Sequence, residues 1–369
     1  MSWRHTRRQF PVGHGGFHAA EIAMVNGDGS DRVIFEYIYD CGAKRNDPLY
    51  DWIDYYADTR DEEQFDALIL SHLHQDHVSG VPRLIKKTKP QWVFLPLLPM
   101  IERLLILAEA VATGADREVV EMIADPGRYF LGRGSNVVFV GRGEGGPDFP
   151  PEEAPDSAPE GPGRLTISAV SMRKSDAARG GDGSVFETTD EKPIHLNDFW
   201  AFIFYCAEQN PSRFKEYQEV VEDIIGIDPS NLDSKRIFEI AETCRCLWED
   251  PKKRRRLIDP YRSLSTKSLN RTSLSVYSGR NRKYSERSLY EWHVASHPVF
   301  EDRPSPFIPH RQWEWVVRAP KVFWLGTGDA ELRFRRDADN IIKHYQGIVP
   351  PLAVCRFRIT ARSRTIVAV

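Results

Sequence analysis

Between a strand-like apolar run and a helix-like segment lies Ser71–Gly80, SHLHQDHVSG, and no other ten residues restrict this chain as much. Histidine accounts for 11 of 369 residues, yet three stand within six positions beside an aspartate. The run before them, Phe65–Leu70 (FDALIL), is short and continuously apolar, as suits a strand buried on both faces. Residues two apart on an extended chain point the same way, so His72 and His74 present imidazoles to one point. Asp76 and His77 follow where the chain turns into a helix and face a second point nearby. Imidazole with carboxylate suits zinc, manganese or iron. Two such cations about 3.5–4 Å apart can clamp the oxygens of a displacement reaction. The bland alternative is that Asp76 caps a helix and the histidines gather by chance; their density favours the metal.

The surroundings alternate strands with helices. Arg32–Tyr39 (RVIFEYIY) reads as a strand that ends at the turn signal Asp40-Cys41-Gly42, and the first ninety-odd residues read as strands and short connections. Val78–Lys87 reads as a helix, Trp92–Pro96 as a strand and Met100–Ala112 as an amphipathic helix, which together imply an α/β layered core. Residues 141–192, rich in Gly, Pro and acidic side chains, read as long loops. Asn197–Cys206 is strand-like, and Pro211–Glu249 returns to a helical period over two or three helices. Strand signals resume at Ser273–Tyr277 and Lys321–Leu325, and there is no internal repeat.

The HxHxDH pattern of 72–77 resembles the signature of the metallo-β-lactamase fold. Asp40-Cys41-Gly42 is similar to that family's strand–Asp–x–Gly turn, whose Asp supports the metal loop. Gly326-Thr327-Gly328-Asp329, after KVFWL, is similar to its second acidic motif, whose Asp bridges two metals. VGHGGFH near the start and Asn270-Arg271-Thr272-Ser273-Leu274 resemble the branch of competence-type DNA-uptake domains and their soluble relatives. The resemblance implies an αββα sandwich over residues 1–354, with a helical, basic insertion at 206–270. It also implies two divalent metals, zinc before manganese, held by His72, His74, Asp76, His77 and Asp329. The chemistry implied is hydrolysis by a metal-bound hydroxide, with phosphodiesters of nucleic acid as the leading substrates.

Two departures stand out. No histidine lies between His77 and His195, so the first metal's usual third ligand is not evident; His195 is the candidate. His14 and His18 flank a Gly-Gly turn and would line the pocket mouth. After the Gly-Asp motif the resembling branch has a helix, a strand and then Pro-His-His-Gly-Ser, which supplies a ligand to the second metal, whereas here the corresponding strand runs into CRFRITARSRTIVAV. Back-translating Cys355–Arg362 as TGC CGC TTC CGC ATC ACG GCT CGC and reading two bases late gives Pro-Leu-Pro-His-His-Gly-Ser. The expectation is that 355–369 is an out-of-frame tail, which leaves the sandwich and the second metal site incomplete at that end.

Composition narrows the partners. The net charge is −3, so the chain as a whole is no polycation. The stretch from Pro251 to Leu289 nevertheless carries twelve Lys/Arg against Asp259 and Glu286. Its densest part, Lys252, Lys253, Arg254, Arg255 and Arg256, would follow a phosphate backbone, or would only complement the C-terminus of a helix ending at Trp248. Five scattered cysteines fit a reducing compartment better than a disulfide framework. No apolar run approaches the roughly 18 residues of a membrane span, and no secretory signal opens the chain, so a cytoplasmic location is expected. A hydrolase of lactones, thioesters or cyclic nucleotides is the second enzymatic reading. A catalytically dead binding module is the third.

Overall fold

The computed structural model describes residues 2–60, 62–143, 165–167, 171–174, 183–197, 200–206, 215–225, 245–263, 273–280, 288–294, 324–326 and 365–366. The chain opens with β1 (Ser2–Gln9), β2 (Gly15–Val25) and β3 (Asp31–Ala43), joined antiparallel. Then come α1 (Asn46–Asp58), β4 (Gln64–Ile69), α2 (Gln75–Val78), α3 (Val81–Lys87), β5 (Lys89–Pro96) and α4 (Met100–Ala112). α5 (Arg117–Ala124), α6 (Pro126–Leu131) and β6 (Asn136–Gly141) follow. The strand segments β7 (Leu165–Ile167), β8 (Ser171–Lys174), β9 (Ser184–Thr189), β10 (Ile194–Leu196) and β11 (Trp200–Cys206) come next. After α7 (Lys215–Ile225), α8 (245–249) and α9 (Pro251–Ser263) come β12 (Leu274–Arg280), β13 (Ser288–Val294), β14 (Trp324–Gly326) and β15 (Thr365–Ile366).

These strands form two sheets. The larger runs β13-β1-β2-β3-β4-β5-β6-β9-β8, with β3 to β6 and then β9 parallel; the smaller runs β15-β14-β12-β11-β10-β7. The two-residue side-chain period of its strands sorts the larger sheet's apolar residues to opposite faces. Ile38, Leu68, Val93, Leu95, Val137 and Phe139 meet the helices, while Tyr37, Ala67, Ile69, Phe94, Val138 and Val140 meet Trp200, Phe202, Phe204 and Val276 of the smaller sheet. Helices, sheet and sheet thus lie in layers consistent with the αββα sandwich, and β4 is buried on both faces, as its continuous apolar run requires. α7 to α9 add Tyr217, Val221, Leu247, Trp248 and Leu257 to the helix-side core. Among the described residues no helix is long and apolar enough to cross a membrane.

The structure corrects several readings. Residues 46–58 are helix rather than strand or connection. Their buried Leu49, Trp52, Ile53 and Tyr56 keep a helical spacing that the aromatic, strand-favouring composition disguises. Residues 141–192 are not all loop, because β7, β8 and β9 lie inside them. β9 (SVFETT) is polar in composition yet buries Val185 and Thr188 and pairs with β6 along its whole length. The segment 78–87 breaks at Ser79-Gly80 into α2 and α3. Asp40-Cys41-Gly42 is no turn but the last stretch of β3. Lys252–Arg256 follow the end of α8 at 249, as expected, but they also form the first turns of α9, where Asp250 accepts the backbone N–H groups of Lys252 (2.8 Å) and Lys253 (3.2 Å). Of residues 355–369, Thr365 and Ile366 pair with Gly326 and Leu325; the rest of the tail lies outside the described residues, as do Asn270–Thr272 and Asp329.

Candidate metal centre

The histidine segment begins where β4 leaves the sheet, and its first residues are tied to three strands. Leu70 N–H still donates to Phe94 O (2.8 Å), and Leu274 N–H reaches across from the smaller sheet to Ser71 O (2.7 Å). Asp40 makes the third tie. The register of β2 against β3 passes from His18–Tyr39 to Phe17–Cys41, so Asp40 is the extra residue of a β-bulge, with φ at +57°. Such a bulge re-aims one side chain at a modest conformational cost. Here it sends a carboxylate of 1% exposure into the site. Asp40 Oδ1 accepts Ser71 N–H (2.7 Å), and its Oδ2 takes Ser71 Oγ–H (2.7 Å) and meets His77 Nδ1 (2.8 Å).

The contact fixes the ring of His77 and leaves Nε2 as the nitrogen that would ligate a cation, the arrangement metal-binding histidines commonly use. His72 Nδ1 in turn lies 2.9 Å from Ser71 Oγ. α2 then starts immediately, with the N–H groups of His77 and Val78 bonded to His74 O (2.9 and 3.2 Å). Gly42 is what lets β3 pass so close, since a Cβ there would stand 2.3 Å from the backbone carbon of His77.

The result is a compact, buried donor set. The ligand atoms of His72, Asp76 and His77 all lie within 4.8 Å of one another, and the rings of His72 and His77 are 4.0 Å apart. His74, 4.9 Å from His72 between ring centroids, lies to one side of that trio. Its Nδ1 and Nε2 are both buried without a hydrogen bond. Nε2 stands 3.3 Å from Glu109 Oε2 on α4, a contact that lacks hydrogen-bond geometry. A buried imidazole with neither nitrogen bonded is costly in a protein left to itself. It is the condition a cation would relieve, so the residues fit a divalent metal.

Of the other expected positions, His14 touches the trio and the rest lie apart from it or outside the described residues. His14 is exposed at the β1–β2 connection, its Nε2 3.2 Å from Asp76 Oδ2. His18 is half-buried and edge-on to Tyr39 (centroids 6.2 Å); burial first, then Arg7 and His77, pulls its pKa well below the ordinary histidine value. His195 sits in β10 of the smaller sheet, opposite Ala201 and Thr166, and is not part of the trio. Asp329 lies outside the described residues, but β14 before it ends at Gly326 beside Val276, two residues from the Leu274 that touches Ser71. On α9, Lys252, Lys253, Arg255 and Arg256 are exposed; Arg256 pairs with Asp223, and Arg254 is half-buried near the Trp248 ring (6.0 Å). Glu109 is the residue the motif does not announce. Its signal in the sequence is one carboxylate set in the apolar run ILAEAV.

Residues 29–171 match the family model of the Metallo-beta-lactamase superfamily, a span that takes in β3, the histidine segment and α4. No curated protein matches the chain.

Proposed function

We propose that this chain is a metal-dependent hydrolase that uses His72, His74, Asp76 and His77 to hold one or two divalent cations, zinc before manganese. The observation that carries the reading is the buried His72–Asp76–His77 trio, held in place by Asp40 before any ligand arrives. A divalent cation bound there would supply Lewis acidity and lower the pKa of water. The protein's own part is positional. Asp40 fixes the His77 ring, Ser71 joins His72 to the same carboxylate, and the flanking sheets keep bulk water from the donor atoms.

Phosphodiesters in nucleic acid are the proposed substrates. Three features support that choice. The segments resembling the DNA-uptake branch converge on the site: Gly16 packs against Asp40, and Leu274 bonds to Ser71. Asp329 follows β14 and is proposed as the bridging carboxylate. The exposed cations of α9 offer a surface for phosphates. The out-of-frame reading of 355–369 stands beside this proposal, and sequencing the gene through codon 350 and past the stop tests it.

Turnover of bis(p-nitrophenyl) phosphate and of single-stranded DNA, with zinc or manganese supplied, tests the activity. Asp76→Asn, which keeps the shape but removes the charge, is expected to cut kcat/KM by about 1000-fold, roughly 4 kcal/mol of transition-state stabilisation. DNA binding is expected to weaken steeply with salt. Turnover of a lactone or thioester with no salt-dependent DNA binding would point to the small-molecule reading instead. Zinc-loaded protein that turns over none of these would overturn the hydrolase reading.

A further inference from the structure

The buried ends of His74 and Glu109 face each other without bonding. His74 is 5% exposed, and neither of its ring nitrogens makes a hydrogen bond. Glu109 is 31% exposed at its side chain, yet its Oε2, the atom that faces His74, is buried and likewise makes no hydrogen bond. Their separation is 3.3 Å. Two ligands each about 2.0–2.1 Å from a tetrahedral cation stand about 3.3 Å from each other, so this spacing is the edge of a metal's coordination tetrahedron.

A second, independent contact brings α4 to the same place. Thr113 Oγ1 lies 3.0 Å from Gln75 Oε1, and Gln75 sits between His74 and Asp76 in the chain. The end of the helix that carries Glu109 thus lies within hydrogen-bond reach of the start of α2.

We propose that Glu109 is a metal ligand, sharing a cation with His74. It takes the place of the third imidazole that the chain lacks between His77 and His195. Imidazole with carboxylate is a donor pair that zinc accepts, with further positions left for water or substrate. The carboxylate also lowers the net charge of the loaded site by one unit relative to three neutral imidazoles. The inference rests on the reading of Ser71–Gly80 as a metal centre and adds to it a residue from another helix.

The experiment is a chelator-competition titration of the full chain with zinc, paired with visible absorption of the cobalt(II)-loaded protein. Wild type, Glu109→Gln, Glu109→His and His72→Ala are compared, and thermal melts of the metal-free forms establish that each is folded. Glu109→Gln is expected to bind zinc about 100-fold or more weakly and to change the position and intensity of the cobalt bands at saturation. This goes beyond the 10–100-fold effect of a group that only supports a ligand. Glu109→His, which restores a donor, is expected to keep zinc affinity within about tenfold of wild type; it also decides the matter should Glu109→Gln fail to fold.

A Glu109→Gln protein with wild-type zinc affinity, or with weakened affinity but an unchanged cobalt spectrum, overturns the ligand assignment. If His72→Ala still loses zinc in that case, the metal centre itself stands. If folded wild type binds no zinc at all, the metal centre and the assignment fall together.

Discussion

His77 and His74 belong to one six-residue motif and sit in opposite circumstances. The Nδ1 of His77 rests on a carboxylate that also holds the backbone and hydroxyl of Ser71, at 2.7–2.8 Å throughout. His74 has no such hydrogen-bonded support, and its Nε2 faces a second orphan, Glu109 Oε2, at 3.3 Å. One half of the site is organised by the protein's own hydrogen bonds, and the other half is where the proposed cation would complete it. A site organised wholly in advance would bind a cation whose removal changed little. One organised by halves couples metal occupancy to the stability of α2 and α4.

The largest effect is expected from breaking the organised half. Asp40→Ala leaves Ser71 N–H, Ser71 Oγ and His77 Nδ1 without their shared acceptor, each loss costing about 1–3 kcal/mol when buried. It also asks alanine to hold a φ of +57°, at a further cost of about 1 kcal/mol. A total loss of about 4 kcal/mol or more is expected in urea unfolding, with or without metal. Asp40→Asn tolerates that backbone and keeps one acceptor oxygen, so it should lose roughly half as much. Equal losses for the two variants would mean that the intact carboxylate, not the bulge's backbone conformation, carries the stability.

The comparison itself breaks or holds on a pair of substitutions measured in excess chelator. His77→Ala strands the buried Asp40 carboxylate and is expected to cost about 2–3 kcal/mol. His74→Ala removes a side chain with no bonded partner. The cavity it leaves and the relief of two unsatisfied nitrogens oppose each other, so a change within about 1 kcal/mol is expected. With zinc present the two variants should become equally damaging, since each removes a proposed ligand. Equal costs without metal would erase the distinction drawn between the two halves.

What the sequence discloses follows the same division. The motif discloses His72, Asp76 and His77 because their chemistry is local, packed into six residues on one strand end and one helix start. The helix Met100–Ala112 is legible to the residue, since its apolar stripe repeats at a helical period. Asp40 is legible as a supporting residue but not as a bulge, because Asp-Cys-Gly signals a turn as strongly as it signals a left-handed residue inside a strand. α1 is hidden by its aromatics. β9 is hidden by its Ser, Thr and Glu, since pairing with β6 rather than its own hydrophobicity makes it a strand. Glu109 is illegible from the motif for a different reason. Its role depends on how α4 packs against α2, and nothing local in ILAEAV marks that contact.

The smallest effect sharpens the comparison from the α4 side. Thr113 has one hydroxyl proton and three acceptors in reach: Gln75 Oε1 at 3.0 Å, Glu109 O at 2.9 Å and Ala110 O at 3.1 Å. The proton can settle on the helix carbonyls, so the bond to Gln75 is only part-time and the site is exposed. Thr113→Val keeps the side-chain shape and removes the hydroxyl. A loss of about 0.5 kcal/mol or less in metal-free stability is expected. If that bond helps hold Glu109 toward His74, zinc affinity should fall by about two- to fivefold, more than the stability loss alone would produce. The same substitution made in an Asp76→Asn background should give the same fold-change, because Asp76 lies with His72 and His77 rather than with His74. A fold-change that disappears in that background would mean that the two halves bind a single shared cation instead of being separately completed.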